Sequence, residues 1–160
     1  MKNIFFRAMN KLKREIYYLC SFWMFKSFGK NSIIQKPLFI LNKKGIRIGS
    51  NVCIRPLARI ECIPSVNTSA EIVIEDNCCI EQGLHLIAAN KVYIHKDVLI
   101  APYCYITDCM HDYEDISLAV IKQGLKINET EIGEATWLGI GVKVFAGVHI
   151  GSYNQKLWIG

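Results

Sequence analysis

Residues 132–151 read IGEATWLGIGVKVFAGVHIG. An aliphatic side chain returns every six positions, at Ile132, Leu138, Val144 and Ile150, and a second inward candidate sits two residues before three of these, at Thr136, Val142 and Val148. Glycine follows the anchor at Gly133, Gly139 and Gly151. An α-helix repeats its buried face every 3.6 residues and a strand every second residue. A period of six fits neither. It fits a short strand followed by a tight turn, three of which close a triangular coil of about 18 residues.

The same signal runs upstream in three further registers: Ile48, Ile54, Ile60; Ile74, Ile80, Leu86; and Ile94, Ile100, Ile106. The inward partners there are Ile46, Val52, Ile72, Cys78, Leu84, Val92, Val98 and Cys104, and Gly49 follows the first anchor. A β-sandwich would show alternation of period two with turns every 8–12 residues, and four separate runs of hexads do not arise that way. The expected fold is an all-β solenoid over residues 31–151, with a small residue after the anchor easing the turn geometry. Each change of register marks an insertion at a corner. The breaks after Ile60 and Leu86 are short. The step from Ile106 to Ile132 is long, and places an extruded loop at about residues 108–130, a length that in a compact domain usually serves function. After Gly151 the next anchor would be Lys156 and its inward partner Asn154, so residues 152–160 are expected to be an atypical, shortened tail.

With 51% apolar residues among 160, one well-packed domain is affordable and disorder is confined to the ends. The net charge of +5 is mild and diffuse, and no aromatic-basic motif accompanies it, so nucleic acid is not an expected partner. The seven cysteines, an odd number without framework spacing, point to a reducing compartment and to buried thiols rather than disulfides. No C-x-x-C pair and no closely spaced histidines occur, so no metal is expected; the arrangement that a γ-type carbonic anhydrase needs is missing. Residues 1–30 stand apart. Lys2, Arg7, Lys11, Lys13 and Arg14 precede an apolar-aromatic run from Ile16 to Phe25 that lacks a signal-peptide cleavage site and is about half the length of a membrane span. Two readings remain: a helix docked on the body, or an amphipathic helix at a membrane surface.

The repeat, the segment from Thr107 to Asp115 (TDCMHDYED) that opens the long loop, and the return through Ile132–Gly139 (IGEATWLG) together resemble the hexapeptide-repeat acyltransferases, most closely the maltose, galactoside and capsular-polysaccharide O-acetyltransferases. The resemblance spans roughly Ile46 to Gly151. It implies a left-handed parallel β-helix, a homotrimer with active sites between subunits, acetyl-CoA as acyl donor, and a sugar or glycan hydroxyl as acceptor. The cysteine usage points to the cytoplasm as location, and the N-terminal aromatic-basic segment leaves the inner membrane face open. Acetyl transfer from a thioester needs a base for the attacking hydroxyl, a donor for the oxyanion and two aligned substrates. Histidine is the natural base near neutral pH. His111, where the loop leaves the coil, is the position to which the resemblance assigns that role. Asp108 is a candidate to orient it, and Asp112, Glu114 and Asp115 stand nearby. Glu81 is a candidate acceptor contact. For coenzyme A the resemblance points to Trp137, Gly139, Ile140, Ala146 and Gly147. His85 and His95, beside hexad anchors, are expected to face solvent or the subunit seam, and His149, within a Gly-Val-His-Ile-Gly turn, is read as structural. The competing expectation is a degenerate, non-catalytic β-helix acting as a scaffold.

Overall fold

The computed structural model of the chain describes residues 9, 11–13, 15–16, 19–21, 23–63 and 69–156. The hexads build the parallel β-helix expected from the sequence, with three sides. The first side stacks Ser27–Phe28, Ile46–Ile48, Glu71–Ile74, Lys91–Ile94, Thr130–Ile132 and His149–Ile150. The second stacks Ile33–Ile34, Cys53–Ile54, Cys79–Ile80, Leu99–Ile100, Trp137–Leu138 and Gln155–Lys156. The third stacks Phe39–Leu41, Arg59–Cys62, His85–Ala88, Tyr105–Thr107 and Lys143–Val144.

Parallel pairing sets the anchors directly over one another. Ile48, Ile74, Ile94, Ile132 and Ile150 form one ladder; Ile54, Ile80, Ile100 and Leu138 form a second; Ile60, Leu86, Ile106 and Val144 form a third. Every expected anchor is buried, none more than 5% exposed. Burying each such side chain contributes about 1.5–3 kcal/mol, and the ladders supply most of the fold's cohesion. The inward partners are buried as well, except Val148, which is 36% exposed. No described strand of the first side stacks beyond its coil to cover it.

Four expectations need correction. The solenoid starts at Ser27 rather than at 31, because Phe28, Ile34 and Ile40 already form a coil. These three recur every six residues, but an aromatic anchor and the longer step from Ile40 to Ile48 hide the repeat. The coil also continues past Gly151: Gln155–Lys156 pairs with Trp137–Leu138, and the Trp137 N–H donates to the Asn154 carbonyl at 2.9 Å. Ladder pairing uses main-chain groups, so a lysine at the anchor position does not abolish it. The glycines after the anchors serve close approach rather than unusual dihedrals. A Cβ on Gly49 would lie 2.6 Å from the Glu75 carbonyl carbon, and one on Gly133 would lie 2.5 Å from that of Gly151.

The left-handed backbone falls two positions beyond this column, at Asn51, Asn77 and Asp97, with φ near +60°. These side chains form a hydrogen-bonded ladder: Asn51 Nδ2 donates to Asn77 Oδ1 at 3.0 Å, and Asn77 Nδ2 donates to Asp97 Oδ1 at 3.0 Å. Asn and Asp tolerate this region better than other non-glycine residues.

The fourth correction concerns the N-terminal segment. Its described residues from Met9 to Ser21 are helical, yet Met9, Leu12, Ile16 and Leu19 are exposed. Among the described residues, none of these four apolar side chains is docked on the body, and Tyr17, Tyr18 and Phe22 of the same run lie outside the described residues. Contact with the body is made near its end, by the buried Ser21 and by Phe25 against Phe28.

Candidate active site

The chain leaves the third side after Thr107 and rejoins the first side at Thr130. Between them Cys109–His111 and Leu125–Ile127 pair antiparallel as a hairpin, with His111 opposite Leu125. Thr130 Oγ1 donates to the Thr107 carbonyl at 2.9 Å, and the Asn128 N–H donates to the Asp108 carbonyl at 2.9 Å, closing the neck. Asp108 is fully buried there. Its two carboxylate oxygens accept from the Ala89 and Asn90 N–H groups, each at 2.7 Å, and so tie the neck to the preceding coil.

The hairpin overhangs the third side and encloses a cavity of about 580 Å³ against it. Tyr105, Thr107, Ile87 and Ile63 form the coil wall, Phe145 the wall above, and Cys109, Met110, His111 and Leu125 the hairpin wall. The lining is mostly apolar, suited to covering the apolar part of a ligand while one side stays open to solvent. His111 is exposed at its rim, and its ring has no hydrogen-bond or ion-pair partner among the described residues. Burial pushes the Cys109 thiol above its ordinary range, against the opposing hydrogen bond with Thr107 Oγ1 at 3.3 Å. That thiol is therefore neutral near pH 7 and a poor nucleophile. The Tyr105 hydroxyl is also raised, chiefly by burial.

Below the cavity, on the same side, the Glu61 carboxylate lies 3.3 Å from His85 Nε2 and is hydrogen-bonded by Arg59. The Arg59 guanidinium, then His85, hold it below the usual carboxylate range against the effect of burial. The His85 ring meets Tyr105 edge-on at 5.1 Å between centroids.

The remaining sequence candidates are spread more widely. Asp112 pairs with Lys126 at 3.6 Å and accepts from the Glu114 N–H at 3.1 Å. Glu114 also pairs with Lys126, and Asp115 accepts from the Ser117 hydroxyl at 2.6 Å. All three acids brace the hairpin itself. Glu81 follows the second side, pairs with Arg55 at 3.8 Å, and does not line the cavity. Trp137 is exposed on the second side, and Gly139 and Ile140 follow it at the corner into the third, where Ile140 is 71% exposed. Ala146 and Gly147 turn the opposite corner. The Gly147 N–H donates to the Asn128 carbonyl at 3.1 Å, so this corner touches the hairpin neck. The Lys143–Val144 strand and Phe145 lie between the two corners, so the five residues bracket the top of the cavity wall without forming one surface.

His95 and His149 are not isolated. His95 Nε2 is 2.5 Å and His149 Nδ1 is 3.1 Å from the Glu131 carboxylate, on the first side, away from His111. Among the described residues no group of three or more His, Cys, Asp or Glu could hold a metal ion. All the described cysteines are free thiols.

Sequence reasoning did not single out Ile63, Ile87, Tyr105, Thr107 or Phe145 as site residues. They occupy outward positions of the third side, where the hexad pattern places no constraint, and only the register of the coils brings them together.

Fold and site together define a parallel β-helix of hexapeptide repeats carrying an extruded, histidine-bearing hairpin. No family model matches the chain. Its relatives in sequence are acetyltransferases. It is 28% identical over 127 residues to WbbJ of Escherichia coli, named as a lipopolysaccharide biosynthesis O-acetyl transferase, covering 75% of this chain and 63% of that protein. It is 26% identical over 148 residues to WcaF of the same organism, named as a colanic acid biosynthesis acetyltransferase, covering 91% of this chain and 74% of that protein. A 60-residue stretch is 40% identical to a probable acetyltransferase of Mycobacterium tuberculosis, covering 38% of this chain and 20% of that protein. The chain thus spans a fifth to three quarters of the length of these relatives. In fold it resembles AntD, an N-acyltransferase of Bacillus cereus solved with dTDP and 3-hydroxybutyryl-CoA, at a TM-score of 0.63 and 15% identity over 86% of this chain and 75% of that one. The resemblance read from the sequence therefore holds in both sequence and fold.

Proposed function

We propose that the chain is an acetyl-CoA-dependent O-acetyltransferase acting on a hydroxyl of a sugar or polysaccharide precursor, with His111 as the general base. The observation that carries this reading is the place of His111, at the rim of an apolar cavity formed where the hairpin leaves the coils. The names of the sequence relatives and the acyl-CoA bound by AntD support the donor and the acceptor class.

The imidazole takes the proton of the acceptor hydroxyl as its oxygen attacks the thioester carbonyl carbon. The tetrahedral intermediate then collapses, the carbon–sulfur bond breaks, and the imidazolium returns the proton to the leaving thiolate. Transfer is direct, because the raised Cys109 thiol makes a poor acyl carrier. Trp137, Gly139, Ile140, Ala146 and Gly147 are assigned to coenzyme A, with Phe145 added to them, and Glu81 to the acceptor from a neighbouring subunit.

A homotrimer fits the hairpin, where Ile116 and Ile121 stand almost fully in solvent and Leu118 and Val120 are exposed; a second copy would cover them. The free thiols favour a reducing, cytoplasmic setting. The unpartnered ring of His111 favours a second reading, a non-catalytic β-helix scaffold. The two separate cleanly. Thiol release from acetyl-CoA would be followed across a panel of sugars, sugar nucleotides and glycan precursors. His111→Ala is expected to lower the rate by roughly 10²–10⁴-fold with the melting temperature unchanged. Equal rates in the two proteins would leave the scaffold.

A further inference from the structure

The described part of the N-terminal helix carries apolar side chains that no described residue of this chain covers. At 3.6 residues per turn, Met9, Leu12, Ile16 and Leu19 fall within about 80° of the helix circumference. They are 38%, 60%, 53% and 65% exposed. Trp23, in the turn that follows, continues the spacing and is 77% exposed. Ser21, which is 1% exposed, lies on the opposite side of the helix. Of the described helix residues only Ser21 is buried, so the helix meets the body at its C-terminal end and leaves these apolar side chains outward.

Charge is distributed just as unevenly. Residues 1–28 hold Lys2, Arg7, Lys11, Lys13, Arg14 and Lys26 against Glu15 alone, a net of +5. Residues 29–160 hold the other 13 basic residues and 13 of the 14 acidic ones, a net of zero. The whole formal charge of the protein thus sits on this segment. Two occupants could cover such a face. A bundle with further copies of the same helix would gather +5 per copy around a seam with a single acid in each, and like charges at that spacing repel. An anionic bilayer satisfies both features: the apolar face enters the acyl boundary while the cations meet lipid phosphates.

We propose that residues 1–28 are an interfacial anchor that lays this helix on an anionic membrane surface, with Leu12, Ile16 and Leu19 inserted and Lys11 and Lys13 at headgroup level. No described helix is long and apolar enough to cross a membrane, so the mode is peripheral. It is independent of acetyl transfer, and its test needs no acceptor.

Full-length protein would be floated with phosphatidylcholine vesicles and with vesicles containing about a third phosphatidylglycerol, at low and at high salt. Expected are binding to the anionic vesicles, at least tenfold weaker binding to the neutral ones, and release by salt. The double variant Leu12→Glu with Ile16→Glu should lose at least tenfold in binding while far-UV circular dichroism and the melting temperature of the coils stay unchanged. Lys11→Gln with Lys13→Gln should lose roughly fivefold per lysine on anionic vesicles alone. No flotation of the native chain, or flotation indifferent to the glutamates, overturns the proposal. So does a result in which the glutamates alter only the oligomeric state measured by light scattering, which would assign the face to a second copy.

Discussion

From Lys91 to Ile106 the chain completes one coil, and its anchors Ile94, Ile100 and Ile106 are wholly buried. From Asp108 to Asn128 a comparable length forms the hairpin, in which Ile116 is fully exposed and Ile121 86% exposed. The coil is held by ladders shared with the coils above and below it. The hairpin is held by its own two strands, by Lys126 with Asp112 and Glu114, and by a neck clamped at Asp108. A repeat must place an aliphatic residue at each anchor to survive. A hairpin that leaves the repeat is free to carry a histidine, acids and uncovered apolar side chains. Rigidity and chemistry are thus divided between two regions joined at Thr107 and Thr130.

That division can be broken from either side. The largest effect expected is on chemistry alone: His111→Ala removes the proposed base, and should lower turnover by roughly 10²–10⁴-fold while leaving the thermal unfolding of the coils where it was. Its mirror is Ile100→Ala, in the middle of the second ladder, expected to cost about 2–5 kcal/mol in urea unfolding through the cavity it leaves. Asp108→Ala touches the junction. It strips a buried and a partly buried N–H group of their shared acceptor, and a loss of about 2–4 kcal/mol is expected, with the hairpin opening before the coils by hydrogen exchange.

The smallest effect is that of acid. Glu61, held low by Arg59, and Glu71, held low by Lys26 and Arg47, have folded-state values below their unfolded ones. The stability they contribute is therefore complete above the ordinary carboxyl range and is lost as pH falls through it. The urea midpoint should drop as pH falls through the ordinary carboxyl range and on below it, and Glu61→Gln should flatten that dependence. A midpoint indifferent to pH would remove these pairs from the account.

The anchors from Ile48 to Ile150 were legible because burial acts on each separately and leaves a period in the sequence. The first coil was obscured by Phe28 at an anchor position, and the last strand by Lys156, where main-chain pairing persists without an aliphatic side chain. In the candidate site, the place of His111 on the loop leaving the coil was legible through the motif around it. Tyr105, Phe145 and Ile87 were not, since outward positions answer to neighbours on other coils that sequence spacing does not reveal. Asp108 was read as an orienter of His111; its carboxylate instead faces two backbone donors of the preceding coil, and neither residue type nor spacing distinguishes the two uses.

Calorimetric titration of acetyl-CoA into the purified chain tests the central claim most directly, because it requires no acceptor. Saturable binding at one site per subunit, weakened by a Phe145→Asp substitution in the cavity wall, is the expected result. A folded protein that takes up no heat from acetyl-CoA would contradict the assignment of this cavity to acetyl transfer.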